Sequence, residues 1–355
     1  MNANKQFEVD WPRFLDLPKN NAVVFRVDSS AAIGAGHVMR CLTLAEELRE
    51  RCPKITFICR ELLGSIIDLI EIRRFPVFRL VLKPGNDQWR IDAQLTKDIL
   101  LQHKLEPDWL VVDHYGLDKR WESVLRPMVK RIMCIDDLAD RVHDCDLLLD
   151  QNYYKNMNFR YKGLVPGNSQ QLLGPKYALL RQEFKAARQN LKKRDGTVKR
   201  ILVFYGGSDP TNETAKALKA INILNRPDIA VDVVVGTGNP NREKIKEICS
   251  GMANTFFHCQ VENMAELMAR ADLALGAGGT ATWERCYLGL PALVTIVAEN
   301  QRETVEVLAG DGVISDLGWH SDVSVGTLVE SVKALLNNSE QMAGMARQGL
   351  ALFEG

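Results

Sequence analysis

The chain of 355 residues has no Cys-x-x-Cys pair, no apolar run near the ~20 residues that a bilayer span needs, and no excess of either charge. Lysine plus arginine and aspartate plus glutamate number 45 each, which excludes a broad polyanion-binding face and predicts neither a nucleic-acid partner nor a polybasic membrane anchor. The eight cysteines (41, 52, 59, 134, 145, 249, 259 and 286) include several within apolar stretches and read as reduced, buried thiols of a cytoplasmic protein. Residues 1–20 mix charges and aromatics without an apolar core, which predicts no signal peptide and no membrane insertion, only a peripheral or poorly ordered arm. Recognisable metal-ligand spacing is missing too. His103, His143, His258 and His320 stand apart, and the adjacent carboxylates of Asp136 and Asp137, read as lying on a strand, would point to opposite faces. No metal or other cofactor is expected, the remaining partners are small molecules or protein, and the pattern fixes no oligomeric state.

What is present is an alternation. From Asn21 onward, short β-branched runs at Ala22–Val27 and Ile55–Cys59 are separated by helical patterns from about His37 to Arg51 and Gly64 to Ile72, with further strands at Trp109–Asp113, Arg131–Ile135 and Asp146–Leu149. This is the pattern of a parallel sheet covered by helices. The stretch from Tyr177 to Lys199 turns polar and basic and reads as a linker helix. The theme then restarts at Arg200–Tyr205, and runs at Ala230–Val235, Thr255–His258, Leu273–Leu275 and Ala292–Ile296 complete a second sheet before a helical stretch from Thr327 to Phe353. The expected organisation is an arm over 1–20, an α/β domain over 21–176, a linker over 177–199, a second α/β domain over 200–335 and a C-terminal helix over 336–355. Two doubly wound, Rossmann-like domains in series imply a cleft lined by strand C-termini.

The residues at those strand ends carry the chemistry. Val27 hands over through Asp28, Ser29, Ser30 and the glycines Gly34 and Gly36 to a helix that begins beside His37. Unpaired N–H groups at a helix start attract anions, and glycines let a ligand approach the backbone, so His37 would stand beside a bound phosphate group. Arg26, Asp28, Ser30, Gly34 and Gly36 are candidate substrate-binding residues; a tight turn with His37 facing water is the competing reading. A dinucleotide fingerprint fails, because Met39 occupies the third glycine position. Asp113-His114-Tyr115-Gly116 ends another strand with three groups able to share protons, or with a buried Asp fixing a turn. In the second half, Gly278, Gly279 and Thr280 close a strand ahead of a helix, with backbone N–H groups suited to a diphosphate. Glu284, one turn along, is placed for ribose hydroxyls or for simple dipole complementation. Gly207 and Ser208 close another strand next to Asp209, itself a good helix cap, and Asn300 and Gln301 follow a third.

Together, the F-R-x-D-S-S-x-x-I-G-x-G-H run at 25–37, D-H-Y-G at 113–116, Tyr177-Ala178-Leu179-Leu180-Arg181 and Gly206-Gly207-Ser208-Asp209 resemble one family over about residues 21–335. It is the UDP-2,4-diacetamido-2,4,6-trideoxy-beta-L-altropyranose hydrolase family of pseudaminic acid biosynthesis. The second-half motifs are also similar to those of peptidoglycan N-acetylglucosaminyltransferases, which have the two-domain GT-B fold. The resemblance implies that His37 positions or deprotonates a water that attacks the anomeric carbon with inversion, releasing UDP. It further implies that Tyr115 orients His37 or the water; Asp113 joins the candidate substrate-binding residues. Gly207, Ser208, Gly278, Gly279 and Thr280 would then contact UDP, Glu284 the ribose, and Asn300 and Gln301 would approach the nucleotide. The long arm and Ala31-Ala32 depart from the family pattern. An imidazole, with an ordinary pKa of about 6.5, suits proton acceptance at neutral pH, and UDP leaves without a metal where backbone donors carry its charge. A GT-B glycosyltransferase and a non-catalytic nucleotide-sugar binding protein are the alternatives.

Overall fold

The computed structural model describes residues 9–17, 21–30, 32–82, 87–191 and 193–354. They fall into two compact units that divide between Leu179 and Leu180.

The first unit holds seven strands: β1 (Ala22–Val27), β2 (Lys54–Arg60), β3 (Val77–Leu80), β4 (Trp109–Asp113), β5 (Arg131–Ile135), β6 (Leu147–Asp150) and β7 (Gln170–Leu173). All pair in parallel, in the order β3-β2-β1-β4-β5-β6-β7. Strand alternation divides the apolar side chains between two cores. Val23, Phe25, Val27, Phe57, Val111 and Met133 pack on one face with the helix Gly36–Leu48. Val24, Ile58, Leu110, Val112 and Ile132 pack on the other with Trp121 and Leu125 of the helix Lys119–Leu125. A sheet buried on both faces requires near-continuous apolar strands, which is why these runs were legible.

The second unit repeats the design with β8 (Arg200–Phe204), β9 (Ala230–Val235), β10 (Thr255–Cys259), β11 (Leu273–Ala277), β12 (Ala292–Ile296) and β13 (Ser315–Trp319). These are again parallel, in the order β10-β9-β8-β11-β12-β13. In each sheet the winding reverses between two adjacent strands, β1 and β4 in the first and β8 and β11 in the second. Ligand crevices of open α/β sheets form outside the carboxyl ends of such strands.

Four expectations change. β3, β7 and β13 were not anticipated; each is a sheet edge whose residues are largely half-exposed or exposed, so the apolar signal is diluted. The arm is not peripheral where it is described: Trp11 and Leu15 are buried in the first core, and the Trp109 indole donates to the Leu15 carbonyl at 3.0 Å. Residues 1–8 and 18–20 of the arm, Ala31, residues 83–86 and Lys192 lie outside the described residues.

The linker expectation also changes in part: Gln182–Gln189 is helical as expected, but it belongs to the second unit, where Phe184 has no exposed surface. Beyond it, Arg194 lies across the carbonyls of Met268, Ala269, Ala271 and Leu288. Its basic residues contribute apolar stems as well as charge, which composition alone conceals. The last helical stretch is two helices, Val325–Leu336 and Ser339–Ala351; the side chain of Asn338 caps the second.

Candidate functional site

At the carboxyl ends of β1 and β4, polar side chains bury themselves by pairing. His37 lies at the second position of the helix Gly36–Leu48, and its Nδ1 is 2.6 Å from Oδ1 of Asp113, the last residue of β4. Arg40, one helical turn on and therefore on the same face, holds both Asp113 oxygens at 2.6 Å and reaches Asp137 at 3.1 Å. Burial alone would raise the Asp113 carboxyl; Arg40 and then His37 outweigh it and hold it well below the usual carboxylate range. An ionised Asp113 accepts only, so Nδ1 of His37 carries the proton and Nε2 keeps its lone pair. Nε2 has no hydrogen-bond partner among the described residues. Tyr115 stands edge-on to His37, ring centroids 4.6 Å apart and planes at 82°. Burial and the charge of Asp137 push its phenol above the ordinary range, so it remains a neutral donor.

Arg26 and Asp28 take a different place from the one expected. Arg26 has no exposed surface; its guanidinium is held by Asp28 at 2.6 and 3.1 Å and by Asp92 at 2.5 and 3.0 Å. Asp28 also accepts from Arg60 and from His114 Nε2 at 3.0 Å. The backbone N–H of Gly116 donates to His114 Nδ1 at 2.9 Å, which fixes the proton of the neutral ring on Nε2. The Arg26 and Asp28 side chains, expected at the substrate, thus form a buried network that braces β1, with no free face on either. Asp113 is likewise buried, its oxygens held by His37 and Arg40.

Ser30 and Gly34 form the bridge of a tight turn. The Ser30 carbonyl accepts from Gly34 N at 2.8 Å, its hydroxyl accepts from Ile33 N at 3.0 Å, and Gly34 sits at φ +83° where a side chain would strain. Gly36 opens the helix that carries His37. Arg40, Arg60, Asp92 and Asp137 belong to this cluster although sequence reasoning gave them no site role, and His114, singled out there as a group able to share protons, is held within it. The spacing of His37 and Arg40 was the one local signal; the other contacts come from separate elements.

At the ends of β8 and β11 the construction is mainly backbone. Gly206 sits at φ +93°, and the Gly207 carbonyl accepts from Gly236 N at 2.9 Å in an approach that admits no Cβ on Gly236. Ser208 is half-buried beside Asp209, whose carboxylate caps the helix Glu213–Leu224 through Glu213 N and Thr214 N, both at 2.9 Å. The Gly278 N–H is not bare: Gln301 Oε1 accepts from it at 3.2 Å and from Val297 N at 3.1 Å. Gln301 therefore clamps the loop, while Gly279 and Thr280 carry its more open backbone and Asn300 is exposed. Glu284 keeps one oxygen for Arg181, at 3.0 and 3.3 Å; its other oxygen has no partner among the described residues.

His143, read as standing apart, comes together with Glu122 and Cys134, their ligand-type atoms lying within 4.8 Å of one another. Three separate elements supply them, so no spacing announced the cluster. Nδ1 of His143 is 2.6 Å from Glu122 and the Cys134 thiol 3.1 Å, and Asp144 N also donates to that carboxylate. Burial opposes protonation of His143, and Glu122 outweighs it. All eight cysteines are unbridged and seven are buried. No helix among the described residues is long and apolar enough to cross a membrane.

Residues 200–353 match the glycosyltransferase family 28 C-terminal domain. The chain is 28% identical to the UDP-2,4-diacetamido-2,4,6-trideoxy-beta-L-altropyranose hydrolase of Campylobacter jejuni, over 82% of this chain and 97% of that protein. It is 27% identical to the spore coat polysaccharide biosynthesis protein SpsG of Bacillus subtilis, over 91% of each. An uncharacterized protein of Methanocaldococcus jannaschii is 27% identical over 78% of the chain, which spans 56% of that protein's length. The crystal structure of Acinetobacter baumannii MurG superposes with a TM-score of 0.62 at 13% identity, covering 93% of this chain and 95% of that one. The two parallel α/β units and these likenesses give a GT-B fold, as the sequence resemblance implied.

Proposed function

We propose that the protein hydrolyses a UDP-sugar, UDP-2,4-diacetamido-2,4,6-trideoxy-beta-L-altropyranose being the first substrate to test, and releases UDP and the free sugar for nonulosonic (pseudaminic) acid synthesis. The observation that carries this reading is the His37–Asp113 pair, at 2.6 Å, with Nε2 of His37 unpartnered. Nε2 takes a proton from water as the water oxygen bonds to the anomeric carbon. The anomeric C–O bond breaks, and its electron pair leaves on the diphosphate oxygen. Asp113 stabilises the imidazolium that forms, as a carboxylate does behind a histidine base. One displacement inverts the anomeric centre. Tyr115, a neutral phenol edge-on to the ring, supports the orientation of His37 or of the water.

In this reading Glu284 accepts from the ribose hydroxyls, and the loops at Gly207-Ser208 and Gly278–Thr280 hold the UDP portion. No step calls on a metal. Glycosyl transfer from a UDP-sugar is the second reading, favoured by the match of residues 200–353 to a glycosyltransferase domain. The deciding experiment measures UDP release from the named UDP-sugar in oxygen-18 water, without metal or acceptor. Label on the sugar supports hydrolysis with C–O cleavage; release only after an acceptor is added supports transfer; UDP binding with no release retires both.

A further inference from the structure

Among the described residues, Arg285 is a buried cation without a counter-ion. Only 2% of its surface is exposed, and its guanidinium makes two hydrogen bonds, both from Nη2: to the Ala277 carbonyl at 2.8 Å and to the Thr282 hydroxyl at 2.9 Å. Nε is fully buried with no partner, and Nη1 has none among the described residues. The side chain fits because residue 276 is glycine: a Cβ there would lie 2.5 Å from Nη1 and 2.5 Å from the Phe204 carbonyl. The guanidinium therefore lies where β8 and β11 end side by side.

Among the described residues no carboxylate pairs with it. Glu284 faces Arg181, Glu213 pairs with Lys216 at 2.8 Å, and Asp209 caps a helix. The neighbouring Tyr205 hydroxyl is buried beside Thr295. A buried charge left this way destabilises a fold, and an apolar side chain of the same length would fill the space without that cost. An unsatisfied buried polar group in a fold calls for an explanation, and functional sites are where such groups cluster.

We infer that Arg285 is the buried positive charge of a diphosphate-binding site in the second unit, placed beneath the Gly278–Thr280 loop and holding its shape through Ala277 and Thr282. The inference deepens the nucleotide-sugar reading and rests on it. It names the diphosphate, rather than uridine or ribose, as the part of the ligand that this residue recognises. The bonds at Ala277 and Thr282 bracket the loop on both sides, so one side chain sets the loop's position and adds a charge that its backbone donors lack. Charge-assisted recognition of this kind strengthens binding by roughly 10- to 100-fold.

The test titrates wild type, Arg285→Met and Arg285→Lys with UDP, UMP, uridine and inorganic pyrophosphate by calorimetry, with melting curves for each protein. The expected result is a roughly 10- to 100-fold loss of UDP affinity in Arg285→Met, uridine affinity unchanged within about threefold, and partial recovery in Arg285→Lys. Arg285→Met should melt within about 5 °C of wild type, since it removes a buried unpaired charge. Equal weakening of UDP and uridine, or unchanged UDP affinity, overturns the inference. If wild type binds none of the uridine compounds, the nucleotide reading fails, and pyrophosphate then decides this one: binding that Arg285→Met abolishes supports a diphosphate site, and no binding refutes it. Should Arg285→Met fail to fold, Arg285→Lys and competition between pyrophosphate and UDP on wild type separate the same outcomes.

Discussion

The two units share one winding plan and use it for opposite ends. At the ends of β1 and β4, charged side chains are buried against one another: Arg26 with Asp28 and Asp92, Arg40 with Asp113 and Asp137. At the ends of β8 and β11, glycines bring backbone to the surface and a single arginine is buried without a carboxylate. The first arrangement fixes a proton on one nitrogen of His37 and leaves the other open. The second, on the proposal made above, receives an anion. A parallel sheet supplies the frame in both cases, and the residues after the strands decide whether it handles protons or charge.

The sharpest way to break the comparison is His37→Ala, which should lower kcat for UDP-sugar hydrolysis by roughly 10²–10⁴-fold while leaving UDP affinity near wild type. Asp113→Asn belongs with it: an amide in place of the carboxylate removes the acceptor that holds the proton on Nδ1 and should lower kcat over a similar range. Steady-state kinetics with a separate UDP titration tests both. An unchanged kcat in His37→Ala removes the base from the first unit.

Next in size is Glu284→Ala, expected to raise KM by roughly 10- to 100-fold with little change in kcat, because charged hydrogen bonds to the ribose would be lost from bound and activated states alike. Glu284 offers one oxygen free of Arg181, so a ligand hydroxyl has an acceptor without displacing the existing pair. UDP binding as tight as wild type would take the ribose away from this residue.

The sequence showed what lies along the chain and concealed what meets across it. Apolar strands such as Trp109–Asp113 were legible because both faces are buried, whereas Gln170–Leu173 and Ser315–Trp319 were not, since edge strands need fewer apolar residues. His37 and Tyr115 could be singled out from their places at strand ends. That Asp113 serves His37 while Arg26 is consumed by Asp92, 66 residues away, follows only from the parallel register and the helix Gln88–Gln102. Arg285 was hidden for the opposite reason: an arginine on a short helix ordinarily reads as a solvated charge.

A smaller effect tests the backbone construction of the second unit. A Cβ on Gly278 would collide with Val305, so Gly278→Ala should destabilise this unit by about 1–3 kcal/mol and weaken UDP binding by shifting the loop that Gln301 clamps. Denaturant unfolding and titration measure the two consequences separately. A variant as stable as wild type would mean that the helix carrying Val305 yields.

The smallest expected effect distinguishes the units by their response to pH. In the first unit, the Tyr161 hydroxyl lies 3.1 Å from Asp136 and 3.0 Å from Asp150, and a single hydroxyl proton cannot satisfy two ionised carboxylates. Burial, and then the nearby charge of Asp137, push Asp150 up to about 7, so the folded state favours its protonated form. A carboxyl raised on folding contributes stability that is fully present below its unfolded value, near 4, and lost as the pH rises through about 7. Asp113, held low, acts in the opposite sense: its contribution is present above the unfolded carboxylate range and lost at strongly acid pH. The melting temperature of wild type should therefore fall in part between about pH 4 and 7 because of Asp150, and Asp150→Asn should flatten that portion of the profile. A slope unchanged in Asp150→Asn would show that Asp150 ionises as readily in the folded chain as in the unfolded one, despite its burial beside Tyr161.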